Sequence, residues 1–359
     1  MVAFFCATPY QVLVSIHIKT TFFKNVNADI YILNHFANSS KLVKNLSSQN
    51  IFRTVKEVPD SLNFTKSLSQ KSRKRHFIKF FSYYNYKKSA SRFFDIDTQI
   101  YDDVFFSYAD VIIQLGLKKI LFNNRNCKIH LFEDGVGGYL KFGTTTTQKK
   151  KLFNRLTNSN GLENYVDLYA FAPELMYQTT IPIVKMPKIN KTNYIFSKQL
   201  NAVFNFNDSK VTDKFIILEQ PLDFKPYINE IQFSTFMEIK SYSHIIKIHP
   251  RSKSEQYEEF NNFCNSDVPW EIISLNSNFQ NQVLVTYYST GAITNKLIFD
   301  VEMPIIFLYE MEEFKTHFSL SEDINLFFKK FQKSCRNPAK IFFPKNISEL
   351  KDIIEVLNA

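Results

Sequence analysis

Four of the chain's seven glycines, Gly135, Gly137, Gly138 and Gly143, fall directly behind the run Ile129-His130-Leu131-Phe132-Glu133-Asp134. Glycine gathers where backbone dihedrals turn positive or another molecule approaches the main chain. Here it follows the end of an apolar run, and open α/β sheets bind ligands beyond the carboxyl ends of their strands. Glu133 or Asp134 could take a proton from a substrate hydroxyl there, with Gly135 lining the approach. An Asp-Gly turn is the plainer explanation of the same residues. His249 and Pro250 close the run Ile245-Ile246-Lys247-Ile248, and Arg251 and Lys253 follow. Proline fixes where the backbone, and so the imidazole, points, and a histidine in a basic loop can hold or protonate a phosphate leaving group. A histidine capping a strand edge is the alternative. Ser289, Thr290 and Gly291 stand between an apolar run, Val283–Thr286, and a helical stretch from Ala292 to Ile298. That is a helix N-terminus, where amides and dipole favour anions, though Ser and Thr also cap helices there without any ligand. Thr8, Pro9 and Gln11 occupy the first strand-to-helix turn, where Thr8 reads as an N-cap and Gln11 as a secondary ligand contact. Asp223, just beyond Glu219-Gln220-Pro221, is a second carboxylate at a strand end and a rival base.

These groups need two sheets to hold them. Val2–Cys6, Asp29–Leu33, Asp103–Ser107, Ile129–Glu133 and Asp167–Phe171 read as strands in the first half, with Tyr10–Lys19 and Ala109–Lys118 as helices. The second half repeats the theme with Lys214–Glu219, Ile245–His249, Val283–Thr286 and Pro304–Leu308. Alternating strands and helices predict parallel α/β sheets. Pro182 and Pro187 interrupt an aperiodic stretch from Ile181 to Tyr194, which reads as a linker. The expected domains are therefore 1–185 and 190–345. A last helix within 346–359 places Leu350, Ile353, Ile354 and Leu357 on one face, capped by Asn346 and Glu349 and crossing back to the first domain.

The 359 residues suit two domains at roughly 100–200 each. At 45% hydrophobic and 22% charged the composition is globular rather than disordered. The net charge of +10 selects anionic partners, from phosphates to a membrane face. Its densest part, Lys71, Arg73, Lys74 and Arg75, is interleaved with aromatics and suits an anionic lipid surface or nucleic-acid stacking, with a solvated charged face as the plainer explanation. Cys6, Cys127, Cys264 and Cys335 show no zinc or disulfide spacing, which predicts a reducing compartment. The start from Met1 to Ile16 has no basic leader and no small-residue cleavage site, and no apolar run is long enough to span a bilayer. A cytoplasmic protein, peripheral on the inner face of the membrane, is expected.

In chain order, Ala7-Thr8-Pro9-Tyr10-Gln11, Glu133-Asp134-Gly135, Ile248-His249-Pro250 and Tyr288-Ser289-Thr290-Gly291 resemble the bacterial sialyltransferases, and most closely glycosyltransferase family 52, the lipooligosaccharide and capsular group. The resemblance implies a GT-B fold, two Rossmann-like domains with parallel sheets facing a central cleft. It implies a nucleotide-sugar donor, CMP-sialic acid, and a glycan acceptor offering a galactose-type hydroxyl, with inversion at the anomeric carbon. By the same matching Asp134 is the first choice of base, with Glu133 and Asp223 open, and His249 serves the leaving phosphate. Ser289 and Thr290 would hold the CMP phosphate or sialyl carboxylate. No cofactor and no metal are expected, because no Asp-x-Asp pair falls at a strand end and a monophosphate leaving group with a histidine partner does not require one. Two other readings stand beside this one: a GT-B transferase using another sugar nucleotide, and a noncatalytic RNA- or membrane-binding protein. Candidate groups gathered at strand ends argue against nucleic acid as a partner. A homodimer is compatible with the sequence.

Overall fold

The computed structural model of the protein describes residues 1–60, 82, 84–94, 96, 98–107, 110–140, 162, 164–177, 179–207, 211–221, 226–249, 252, 254–261, 267–318 and 320–359. Two compact units divide the chain, Met1–Pro187 and Lys188–Ala359.

The first unit holds strands β1 (Val2–Cys6), β2 (Ala28–Leu33), β3 (Thr54–Val58), β4 (Asp103–Phe106), β5 (Lys128–Phe132), β6 (Tyr165–Ala170) and β7 (Ile183–Lys185). They form one sheet in the order β3-β2-β1-β4-β5-β6-β7. Every pairing is parallel. A parallel sheet is covered on both faces, so its central strands are apolar throughout instead of alternating. All five residues of β1 are buried. Phe4 sits in register with Ile30 and Phe105 on either side, and its ring stacks on Phe105 at 5.0 Å. Helices α1 (Pro9–Thr21), α2 (Ser39–Ser47), α3 (Tyr86–Ser91), α4 (Val111–Asn123) and the single turn α5 (Val136–Tyr139), with a 3-10 turn at Pro173–Leu175, complete the described elements of this unit. The strand order reverses between β1 and β4, which marks the ligand crevice of a doubly wound sheet.

The second unit has strands β8 (Phe215–Leu218), β9 (His244–Lys247), β10 (Val283–Thr286), β11 (Ile305–Phe307) and β12 (Ile341–Phe342), in the parallel order β12-β11-β10-β8-β9. Its helices are α6 (Tyr194–Phe204), α7 (Pro226–Met237), α8 (Trp270–Asn276), α9 (Gly291–Phe299), α10 (Glu312–His317), α11 (Glu322–Ser334) and α12 (Ile347–Asn358). Here the order reverses between β8 and β10. The α12 helix lies within this unit, with Leu350 and Ile354 buried and Lys351 paired to Glu238 at 3.0 Å. Asn346 caps it by accepting from the Glu349 amide at 2.9 Å.

Three strands escape the apolar-run rule, and all three are short or lie at sheet edges. Ile183–Lys185, expected as linker, is the edge strand β7, and Thr54–Val58 and Ile341–Phe342 are the edges β3 and β12. An edge strand is half-solvated and need not be apolar, as Lys56 and Glu57 within β3 show. The α4 helix begins at Val111, two residues later than expected, because Asp110 caps it by accepting from the Ile112 amide at 2.7 Å.

Candidate functional site

At the carboxyl edge of the first sheet, Glu133 and Asp134 part company. Glu133 is fully buried. Its Oε1 accepts from the Tyr10 hydroxyl at 2.6 Å, and its Oε2 accepts from the Phe171 amide at 2.9 Å and from the Tyr139 hydroxyl. The glutamate thus ties β5 to the start of α1, to α5 and to the chain leaving β6. Asp134 is only partly buried. Its Oδ2 accepts from Gln11 Nε2 at 2.8 Å, and the Thr8 hydroxyl also hydrogen-bonds it. Burial raises the Asp134 pKa above its ordinary value, and the Gln11 and Thr8 hydrogen bonds offset only part of that rise. Gln11 is buried and held from its other end, Oε1 accepting from the Ala7 amide at 2.6 Å. Thr8 caps α1 by accepting from the Gln11 amide at 3.2 Å, with proline next in line. The turn after Asp134 needs its glycines. Gly135 has φ 60° and ψ −148°, a combination that side chains exclude. A Cβ on Gly138 would stand 2.9 Å from the Glu133 backbone.

The carboxyl edge of the second sheet is built around β8, which lies between β9 and β10. Glu219, just past β8, is buried. Its Oε2 accepts from the His249 amide at 2.7 Å and its Oε1 from the Ser252 hydroxyl at 2.9 Å. The Ser252 amide donates in turn to the His249 carbonyl at 2.9 Å, so the histidine's backbone is fixed on both sides. Gln220 does the same for the other neighbour, its Oε1 accepting from the Tyr288 amide at 2.7 Å. Buried Gln232 holds Gln220 through its carbonyl at 3.0 Å. Beneath the His249 loop lies Lys247, which burial pulls down to about 8 against the opposing charges of Asp267, Glu271 and Glu219. Ser289 Oγ accepts from the Gly291 amide at 3.3 Å, while Thr290 makes no side-chain cap. A Cβ on Gly291 would meet Trp270 at 3.2 Å and Leu218 at 3.3 Å, so glycine lets α9 start close against β8.

The structure gathers Thr8, Gln11, Glu133, Asp134 and Gly135 at one sheet edge, and His249, Ser289, Thr290 and Gly291 at the other. Asp223, Pro250 and Arg251 lie outside the described residues, as do Lys71, Arg73, Lys74 and Arg75. Sequence reasoning passed over Tyr10, Tyr139, Glu219, Gln220 and Ser252. For Glu219 the signal was present: a charged residue ending the apolar run Phe215–Leu218 repeats the pattern of Glu133 behind Ile129–Phe132. The tyrosines carry no such mark among 18 in the chain. Among the described residues no helix is long and apolar enough to cross a membrane.

Comparison with known proteins agrees with this architecture. The glycotransferase of kitacinnamycin aligns with a TM-score of 0.56 and 9% identity over 100% of this chain and 90% of that one. The α/β-galactoside α-2,3-sialyltransferase of Photobacterium phosphoreum aligns with a TM-score of 0.52 and 12% identity over 97% and 98%. Os79 from O. sativa, solved in complex with UDP, aligns with a TM-score of 0.51 and 8% identity over 98% and 90%. At these identities the likeness shows the fold, which is GT-B. No curated protein matches at the level of sequence. The sequence model of the alpha-2,8-polysialyltransferases matches residues 3–305. That match names polysialyltransferases where the short motifs resembled family 52, and the two share the broader class of sialyltransferase. With most of its length matched, the chain belongs to the alpha-2,8-polysialyltransferase family.

Proposed function

We propose that the protein is an inverting, metal-independent transferase that moves sialic acid from CMP-sialic acid to a hydroxyl of a bacterial surface glycan. The observation that carries this reading is Asp134: a partly buried carboxylate with a raised pKa, oriented by Gln11 at a sheet's ligand edge. A sugar hydroxyl is a poor nucleophile until a base takes its proton. Asp134 accepts that proton as the hydroxyl oxygen bonds to the anomeric carbon of the donor. The bond from that carbon to the CMP phosphate oxygen breaks with inversion, turning a β-linked donor into an α-sialoside. The leaving phosphate gathers negative charge, which His249 and the amides around Ser289–Gly291 suit. Glu133 is a positioning residue in this scheme, since its oxygens are already engaged by buried donors.

The family's name favours the 8-hydroxyl of a terminal sialic acid as acceptor over the galactose-type hydroxyl expected from the motifs. Donor and acceptor are tested together. CMP-sialic acid should yield free CMP in the presence of a sialic-acid-terminated oligosaccharide, and UDP and GDP sugars should yield no transfer product. Turnover of UDP sugars instead would replace the donor, and transfer only to galactose-terminated acceptors would replace the linkage.

A further inference from the structure

The carboxyl edge of the first sheet carries a second polar pair besides Gln11 and Asp134. His35 follows β2 by two residues and Asp60 follows β3 by two, so both stand on that edge. His35 Nδ1 lies 3.1 Å from Asp60 Oδ2. A carboxylate accepts, so in the neutral ring Nδ1 carries the proton and Nε2 presents its lone pair. The aspartate side chain is 8% exposed and the imidazole 55%, which leaves Nε2 as the ring nitrogen a ligand can reach. The pair is not needed to hold the loop. The Asn34 amide donates to the Val58 carbonyl at 2.9 Å, and Asn34 Oδ1 accepts from the Asp60 amide at 2.9 Å, which already joins the end of β2 to the end of β3. A half-exposed ion pair adds little stability beside those contacts. What Asp60 gives His35 is a fixed tautomer and a fixed direction.

The strand order places this dyad against the crevice. Within β2-β1-β4-β5 the sheet reverses between β1 and β4, where a doubly wound sheet binds its ligand. His35, behind β2, stands one strand outside that reversal on one side, and Asp134, behind β5, one strand outside it on the other. Three strand spacings separate the two, about 14 Å along the edge. That is wider than one sugar ring, so a glycan touching both residues does so with different sugars. Charge narrows the contact further. Glu57, the next to last residue of β3, accepts from the Ser40 hydroxyl at 2.8 and 3.0 Å and from the Ser39 hydroxyl, so a carboxylate of the chain itself occupies the start of α2. With Asp60 and Glu57 both at this strand end, an anion is disfavoured there. A sugar hydroxyl is not, since it donates to Nε2 and carries no charge.

We propose that His35, oriented by Asp60, is a hydroxyl-binding subsite for an inner sugar of the acceptor, while the acceptor's terminal sugar reacts at Asp134. The inference rests on the transferase reading for its acceptor and adds to it a residue that selects acceptor length. His35 takes no part in bond making. It accepts one hydrogen bond from a sugar on the far side of the crevice, and Asp60 is its positioning residue.

The test is binding of end-labelled oligosaccharides to the full chain, read by fluorescence anisotropy in the absence of donor. One series ends in sialic acid and has neutral inner sugars in increasing number, and a second is sialic acid throughout. In the first series the wild-type chain should bind more tightly above a threshold length, and His35→Leu should lose about fivefold there, the worth of one neutral hydrogen bond. The shortest member should bind both proteins alike, which also shows that the variant folds. His35→Gln, whose amide oxygen can reach the place of Nε2, should recover most of the loss. Equal affinity of His35→Leu and wild type at every length would overturn the proposal. So would an equal loss on the shortest member, or a loss confined to the all-sialic series, which would make the bound group a carboxylate. Transfer is scored separately. The expected affinities with no CMP released from CMP-sialic acid would sink the transferase reading alone, and transfer without any dependence of binding on His35 would sink the subsite alone.

Discussion

Asp134→Asn separates a base from a structural carboxylate. Asparagine is the same size, and its carbonyl oxygen can still accept from Gln11 Nε2 and the Thr8 hydroxyl, so the turn at Gly135 keeps its supports. Only proton acceptance is lost. General-base catalysis contributes about 10²–10⁴-fold, so turnover should fall by that factor, or about 3–5 kcal/mol of barrier. Stability should move the other way. Burial raises the folded-state pKa of Asp134 above the ordinary 3.8. A group shifted upward contributes stability that is fully present below its unfolded pKa and lost as pH rises through the folded one. At neutral pH the ionised carboxylate therefore costs stability, and the amide relieves that cost. Thermal melts should show a midpoint equal to or above wild type. The wild-type kcat should decline on acidification through a pKa above the usual aspartate range, and the variant should lose that limb. Near-wild-type turnover by the folded variant would remove Asp134 as the base, and a lowered melting point would make it a structural residue.

Glu133→Leu should act on stability first. It strips the acceptor from the Phe171 amide and from the Tyr10 and Tyr139 hydroxyls, at about 1–3 kcal/mol for each buried group left unpaired. A fall in melting midpoint on the order of 10 °C is expected, and a wild-type melt would contradict the clamp. Glu219→Ala frees the His249 amide and the Ser252 hydroxyl, so kcat should drop about 10- to 100-fold as the imidazole loses its fixed position. Glu219→Gln should recover most of that loss, since its carbonyl can face His249 while its amide group donates to the serine oxygen; equal loss in both variants would mean the charge itself acts. Burial lowers the pKa of His130, but hydrogen bonds and charge from Asp103 and Asp167 together leave it above the ordinary 6.5. The bridge across β4, β5 and β6 thus stabilises fully below about pH 6.5 and is lost as pH rises through the folded pKa. His130→Gln should flatten the melting midpoint over that window, and an unchanged pH profile would show that the bridge contributes nothing.

The central strands were legible because parallel sheets bury both faces, which writes β1, β5, β8 and β10 as plain apolar runs. Of the four edge strands only β9, with Ile245 and Ile246, was read as a strand, because β3, β7 and β12 are short or half-solvated and obey no such demand. The positions of Asp134 and Gly135 were legible for a related reason: a positive-φ turn behind a buried strand admits few residues. What sequence order hides is adjacency. Glu133 catches the Phe171 amide only because β6 lies beside β5, and Glu219 catches the His249 amide only because β9 lies beside β8.

Set beside each other, these two contacts are one device used twice. In each unit a glutamate one residue past a strand donates its own amide to the neighbouring strand, Glu133 to the Tyr169 carbonyl at 3.0 Å and Glu219 to the Lys247 carbonyl at 3.1 Å. Its carboxylate then takes the amide two residues beyond that carbonyl, Phe171 in the first unit and His249 in the second. A buried glutamate held at both ends leaves the following residue little freedom, so that residue's direction is set by the sheet and not by its own loop. In the first unit the following residue is Asp134, and in the second it is Gln220, which secures the Tyr288 amide ahead of Ser289. On the proposed mechanism the residue after the glutamate would be the base itself in the first unit and a support for the Tyr288 amide in the second, while the glutamate supplies the rigidity. Exchanging either glutamate should disturb function through geometry and stability, whereas exchanging Asp134 should disturb it through proton transfer alone.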